Sequence, residues 1–476
     1  MTVTTRHLLS LYDSSQVAIL RRTYLLKFAR LLVCFSWALL PASQTRLFAQ
    51  TQRSAQSLHT LDTIHRDAKL LSLTPDGEWS FAVGENKTQF AAERIVRWGA
   101  WTGVLDNSAV WLADDSLVCG DLSLSATGVA LASDWLDVSP LAWNTVRGLV
   151  LTPPRTLDNW LVLQTQMQAV EGDEDALWLT NGTRLKGIVR WDDTFDAAAG
   201  QTLGIDVSRG DVNGGDASGV DASGGDASGG DAGGQTIRIP LPEIKAIVFS
   251  PALLGRIAEQ RDAMWLSLQD GSRLKTTRID SSPTGVQLTL ANGSSLKSLD
   301  FPEQFVSSIV GLARPSAVGI QFLSSLSPAS YRHLPDSALS WELGVDRDAM
   351  GAALHTRQEI FERGLATHSV SQVAYRWDGS SARLLAEVRL AAAPPGAAER
   401  LGSVACKILV ARGGELQTVH AFELQRAALG QAPPVELVDV ALHDAKLIVL
   451  VTDKSDYGQY GDHVLWLDAR LMPVQK

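Results

Sequence analysis

The side chains best equipped for chemistry gather in the last third of the chain. His368, Asp462 and His463 supply hydrogen-bonding groups, and Trp377, Tyr457, Tyr460 and Trp466 supply flat aromatic faces. These types together suit a neutral, polyhydroxylated ligand. An aromatic ring covers the C–H face of a sugar while imidazole and carboxylate groups reach its hydroxyls. The segment Asp453-Lys454-Ser455-Asp456-Tyr457-Gly458-Gln459-Tyr460 reads as an exposed loop, where binding residues concentrate. A structural role competes for some of them. The His463-x-x-Trp466 pair on one strand would also lock a β-core, with the imidazole bonded to backbone.

Catalytic chemistry has no comparable constellation. All nine histidines lie at or before His65 or at or after His333. There is no nucleophile elbow, no His-Glu-x-x-His, no phosphate-binding glycine loop and no cysteine cluster. Acidic groups such as Asp114-Asp115, Asp192-Asp193 and the cluster Glu171, Asp173, Glu174, Asp175 have the types needed for glycoside hydrolysis. In an acidic chain they read as solvated turns. A net charge of −10 also argues against a nucleic-acid partner, which needs cationic surface. A non-catalytic protein is expected.

The elements that must position these groups are strands. At 476 residues and 45% hydrophobic content, the chain is long enough for several cores. Three segments share one opening: Val110-Trp111-Leu112-Ala113-Asp114-Asp115, Leu177-Trp178-Leu179-Thr180-Asn181-Gly182 and Met264-Trp265-Leu266-Ser267-Leu268-Gln269-Asp270-Gly271. Each reads as a hairpin, followed downstream by an apolar closing strand: Val146–Val150, Ile244–Val248 or Val306–Val310. The second copy is lengthened by a tract in which aspartate recurs every five residues from Asp206 to Asp231. Its Gly, Ala and Ser content predicts a disordered insert over 204–235 rather than a calcium-binding roll. One small SH3-like or Sm-like β-barrel unit is therefore used three times, and Trp111, Trp178 and Trp265 are expected to point into cores. The stretches Glu78–Val83 and Ile95–Gly99 precede the first copy and read as strands belonging with it.

The N-terminus reads as an export signal. Arg21, Arg22, Lys27 and Arg30 precede an apolar run from Leu31 to Leu40, followed by small residues at Ala42, Ser43 and Ala49. That run is shorter than the ~20 residues a membrane span needs. The expected organisation is a signal peptide over 1–49 and a β-rich domain with the first repeat over 50–155. A second repeat over 156–255, a third over 256–330 and a β-sandwich over 335–476 follow. A secreted, periplasmic or cell-envelope location follows, with no membrane span in the remaining chain. Cys119 and Cys406 are expected to be separate buried thiols.

The sandwich carries a family resemblance. Val345-Asp346-Arg347 opens it, Phe361-Glu362-Arg363-Gly364-Leu365-Ala366-Thr367-His368-Ser369 follows, and Val373-Ala374-Tyr375-Arg376-Trp377 comes next. Asp462-His463-Val464-Leu465-Trp466-Leu467 stands near the end. In this order, over about 339–472, the motifs resemble the NPCBM/NEW2 domain, a carbohydrate-binding module found attached to glycoside hydrolases, including family 98. The resemblance implies a jelly-roll β-sandwich that binds galactose-like sugars or other glycans, with a structural calcium ion in some members. Gly364 and Leu365 match its turn, His368 the histidine after it, and Asp462, His463 and Trp466 its closing motif. Ala366 replaces a second glycine, and Glu387-Val388-Arg389-Leu390 stands where an acidic turn is usual.

The resulting expectation is an all-β, exported, non-catalytic carbohydrate-binding protein. Repeated SH3/Sm-like barrels would act as a spacer or interaction surface before a jelly-roll sandwich that holds the glycan. The competing reading from a different class is a cell-envelope scaffold for protein partners without sugar affinity. An accessory part of a glycoside hydrolase system ranks below both.

Overall fold

Apolar residues alternating with polar ones, broken by Asp-Gly and Asn-Gly turns, fold as antiparallel hairpins. The computed structural model describes residues 56–474, except 75, 126, 191–201, 208–234, 256–259, 261, 315–319, 335–339, 393–401, 428–430, 432 and 457–460. Among these the chain is all-β, with two α-helices, α1 (Leu157–Gln168) and α2 (Pro302–Ser308). The N-terminal leader, most of the aspartate tract, Tyr457 and Tyr460 lie outside the described residues. The part of the 204–235 insert that is described is strand: Thr202–Val207 pairs with Gln235–Pro240.

The repeat unit occurs four times, not three. The additional copy comes first, running from strand Gln56–Thr60 to closing strand Ile95–Gly99, and it includes Glu78–Val83. It escapes the tryptophan pattern because His59 stands where the next two copies have Trp. His59 faces Arg97, Trp111 faces Gly148 and Trp178 faces Ala246, each just before an irregularity in the pairing of opening and closing strands. In the fourth copy Trp265 stands two residues earlier on its strand, hence on the same face. Three copies place a single 3-10 turn before the closing strand (Ala92–Arg94, Trp143–Thr145 and Leu241–Glu243), and the fourth uses α2.

The copies join through their closing strands. Val146–Val150 pairs with Ile244–Val248, and Ile309–Ala313 pairs with Ile95–Gly99. Glycine is needed at these seams because a side chain has no room. A Cβ on Gly148 would lie 2.5 Å from the Ile247 carbonyl oxygen, and one on Gly311 2.9 Å from the Ala100 carbonyl carbon.

One core fills the barrels, with Leu112, Leu179, Leu268 and Ile309 among its residues, and a second lies beneath α1. The Thr156 hydroxyl starts α1 by accepting the Asn159 N–H, and its Trp160 and Leu161 cover Trp111 and Trp178. Trp111, Trp178 and Trp265 are buried, each under a guanidinium: Arg147 at 4.1 Å, Arg184 at 4.9 Å and Arg273 at 4.0 Å from the ring centre. Two acidic residues read as solvated are buried instead. Asp114 accepts the Ser116 and Asn292 N–H groups, and Asp175 accepts those of Val189 and Ser250. They satisfy turn backbone that would otherwise be orphaned.

The sandwich packs two antiparallel sheets face to face. One pairs Gly344–Val345, Gly364–His368, His463–Pro473, Ala382–Leu390 and Val435–Leu442 in that order, and Gln321–Phe322 pairs with Leu471 and Arg470 of the same sheet. The other runs Ser330–His333, Ser371–Arg376, Leu447–Lys454, Ser403–Arg412 and Glu415–Gln425. Val373, Tyr375, Val388, Ile408, Leu450 and Trp466 fill the space between. Cys406 lies in this core and Cys119 in the repeat region, both free and buried.

Buried charge joins the first copy to the sandwich. Glu387 is fully buried and receives bonds from Ser57 Oγ, Arg389 Nε and, at 2.8 Å, Arg97. His59 Nε2 lies 2.8 Å from the same carboxylate. A bulge at Asp468, whose φ is 48°, turns that carboxylate onto Arg97 Nε at 2.6 Å. Arg470 reaches back to the Thr60 carbonyl at 2.6 Å. Burial alone would raise the Glu387 pKa, but Arg97, His59 and Arg389 hold it well below the usual carboxylate range. Burial, with Arg97 beside it, lowers His59 to about 4. The segment that departs from the family's acidic turn is thus a strand whose charges fasten the sandwich to the repeats.

Candidate functional site

Strand pairing brings His368 directly opposite His463. Their rings meet edge to face with centres 4.6 Å apart. Trp341, from the connection ahead of Gly344, stacks on His368 at 5.4 Å with an interplanar angle of 23° and meets His463 at 4.9 Å. His333 completes the nest, 5.5 Å from His368. His333 Nδ1 accepts the Trp341 N–H at 3.0 Å, so its Nε2 is the donor to the Ser369 carbonyl at 3.1 Å. The Tyr331 hydroxyl donates to the Trp341 carbonyl at 3.1 Å. Three imidazoles and several backbone contacts therefore hold one half-buried indole at the end of the sandwich.

Asp462 lies next to this nest. Its carboxylate is wholly buried and accepts the Ser369 hydroxyl at 2.8 Å. Burial raises its pKa to about 6. Burial lowers His463 to about 3, assisted by His368, Arg426 and His333. Burial thus disfavours the charged form of both groups. Among the described residues no group of His, Cys, Asp or Glu is arranged to hold a metal ion, so the calcium expectation gains no ligand set there.

The residues picked out in the sequence divide. His368, Asp462 and His463 come together, but as buried supports rather than exposed contacts. Trp466 is wholly buried between the sheets and donates to Thr367 Oγ1 at 3.3 Å, so it presents no face to a ligand. Its strand places it among core residues, the locking role that competed for it. Trp377 follows the far end of Ser371–Arg376, about 20 Å from the nest at ~3.3 Å per residue, and donates to the Ser380 carbonyl. Tyr457 and Tyr460 are outside the described residues. Trp341 and His333 were not singled out. The available signal was a solitary Trp in the polar run Pro335–Glu342 just before the first family motif.

The shifts of His59 and His463 set a pH dependence. Each folded-state pKa lies below the ordinary imidazole value of 6.5, so each contributes stability present above pH 6.5 and lost as pH falls through about 4 and about 3. Asp462, raised from 3.8, acts oppositely: its contribution is full below 3.8 and lost as pH rises through about 6. Asp270, also raised by burial to about 6, acts with Asp462, and Glu387, held low by its cationic neighbours, acts with the histidines. The histidine shifts are the larger, so stability is expected to fall on acidification below pH 6.5. Denaturation midpoints measured from pH 7 to 4 will show it, and His463→Gln will flatten the dependence.

Residues 321–472 match the model of the NPCBM/NEW2 domain. The match begins ahead of 339 because Gln321–Phe322 and Ser330–His333 are strands of the sandwich. No curated protein matches the chain. Similar solved structures include CBM51-2 with INT domains from Clostridium perfringens ZmpB, in complex with GlcNAc. It is 21% identical, covers 41% of this chain and 39% of its own, and has a TM-score of 0.26. The present chain thus spans about two-fifths of that neighbour. CBM51 from Clostridium perfringens GH95, in complex with methyl-galactose, is 18% identical over 32% of this chain and 99% of its own, with a TM-score of 0.25. The tandem CBM51 modules of Sp3GH98 from Streptococcus pneumoniae are 13% identical over 77% of this chain and 100% of theirs, with a TM-score of 0.27.

Proposed function

We propose that this chain, whose residues 321–472 form an NPCBM/NEW2 domain, is an exported, non-catalytic protein that binds a neutral glycan at the Trp341 end of its sandwich. The observation that carries the reading is the half-buried Trp341 indole, backed on one face by His368 and braced by His333. A pyranose ring would lie against its other face, where C–H groups meet the electron-rich indole. Asp462 and His463 lie behind this contact and fix its geometry rather than meeting the sugar. The basic and apolar stretch before Pro41 supports export, and among the described residues no helix is long and apolar enough to cross a membrane. The repeats serve as the body that presents the sandwich, to which the buried Glu387 cluster fastens them.

A glycan array probed with the full chain tests the proposal. Saturable binding to a defined set of neutral glycans is expected, without any release of reducing sugar. Absence of binding across the array from a folded protein would refute it.

A further inference from the structure

In each repeat copy a tight turn joins the opening strand to the next one, and in three copies that turn is covered. The first copy's turn meets the sandwich, where Arg470 bonds the Thr60 and Leu61 carbonyls and Arg383 that of Asp62. The turns of the second and fourth copies cover each other. Asp114 and Ser116 on one side, and Asp270 and Ser272 on the other, are at most 4% exposed.

The seam between those two copies is a local twofold. The Lys275 N–H donates to Ser116 Oγ and the Cys119 N–H to Ser272 Oγ, both at 2.9 Å. Each donor stands three residues beyond its own copy's serine. Leu117 and Arg273, each the residue after that serine, pair directly across the axis. One surface therefore binds another of its own kind through reciprocal bonds, as in an isologous contact.

The third copy carries the same surface uncovered. The Thr183 N–H donates to Asn181 Oδ1, as Ser116 does to Asp114 and Ser272 to Asp270. Thr183 thus takes the place of the serine, Arg184 that of the residue on the axis, and Lys186 that of the donor. Yet Asn181, Gly182 and Lys186 are exposed, and Thr183 and Arg184 are only half-buried. The strand Arg184–Arg190 pairs with Asp175–Leu179 and, from Ile188 onward, with Thr202–Val207. Its outer edge at Arg184–Lys186 is therefore open among the described residues, and nothing there bonds the Thr183 hydroxyl. An open strand edge is a template for another strand.

The surface that fits this one is a copy of itself, because the other three in the chain are occupied. We infer that the third repeat copy is a self-association surface, pairing with the third copy of a second chain in the manner of the internal seam. Each Lys186 N–H then donates to the partner's Thr183 hydroxyl. Charge limits the strength of the contact. The internal seam sets Arg273 against Leu117, whereas the new one sets Arg184 against its own twin, and facing like charges weaken a strand pair. The dimer is accordingly reversible and strengthened by salt. The inference is independent of what the sandwich binds.

Sedimentation velocity of the full chain, over a range of concentrations and at low and high salt, is the test. A reversible dimer is expected. Thr183→Val keeps the side-chain shape and removes both acceptors, weakening the dimer about 30-fold, as expected for two lost hydrogen bonds. Arg184→Leu installs the residue type that the second copy has on the axis and will tighten the dimer several-fold. Mild oxidation of Arg184→Cys will give a covalent dimer, since directly paired residues bring their Cα atoms within about 5.5 Å. Leu416→Cys, exposed on the sandwich, will not. A chain that stays monomeric overturns the inference. So does one that dimerises only once residues 208–234 are replaced by a Gly-Gly turn, which would give the surface to the chain's own tract. A dimer unaffected by Thr183→Val and Arg184→Leu, and not trapped by Arg184→Cys, overturns it as well by placing the contact elsewhere.

Discussion

Replacing Glu387 by alanine will destabilise the protein by about 3–5 kcal/mol, the usual cost of removing one partner from a buried ion pair. Glu387 has no exposed surface, and Ser57, His59, Arg97 and Arg389 all converge on it. Without it, Arg97 keeps Asp468 and Arg389 keeps Glu359, but two guanidiniums remain in a dry junction with one acceptor removed. Glu387→Gln, which retains the acceptor oxygen but not the charge, will cost less. The double variant Arg97→Met, Glu387→Ala will cost less than the sum of the single changes, because the two residues share one interaction. Since the cluster joins the first repeat to the sandwich, Glu387→Ala will also split denaturation into two transitions. Chemical denaturation followed by near-UV circular dichroism reads both effects. A single unshifted transition would show that the charges do not hold the junction.

Much of this architecture was legible in the sequence, for a specific reason. The Trp of the later copies sits just before a tight turn, and a period of two carries its neighbours into the core, so the hairpins around Trp111, Trp178 and Trp265 could be read directly. The first copy was hidden because its equivalent residue, His59, faces the sandwich instead of a helix or another indole. A polar junction leaves no apolar pattern to find. The partners of Glu387 were unreadable for a related reason: Ser57 and His59 are more than 300 positions away. At the candidate site, His368 and His463 were recognisable from their motifs. What the motifs could not convey is that strand pairing buries both, leaving the half-exposed position to Trp341, which lies outside the regular strands.

Trp341→Ala will reduce glycan affinity by at least about 30-fold, a loss of ~2 kcal/mol or more, as expected when the aromatic anchor of a binding site is truncated. Trp341→Phe keeps a flat ring over His368 and will retain affinity within about tenfold. Neither change removes a residue of the sandwich core, so the variants should stay folded. Trp466→Phe provides the contrast: it alters a wholly buried ring, so it will change stability while leaving affinity nearly untouched if the protein folds.

The most direct measurement is isothermal titration of the full chain and of Trp341→Ala with the glycan that binds best on the array. The account predicts one saturable event at the sandwich in the unaltered protein and its loss in Trp341→Ala, with circular dichroism unchanged. Equal affinity in the two proteins would contradict it and move the glycan site away from the nest of His333, Trp341, His368 and His463.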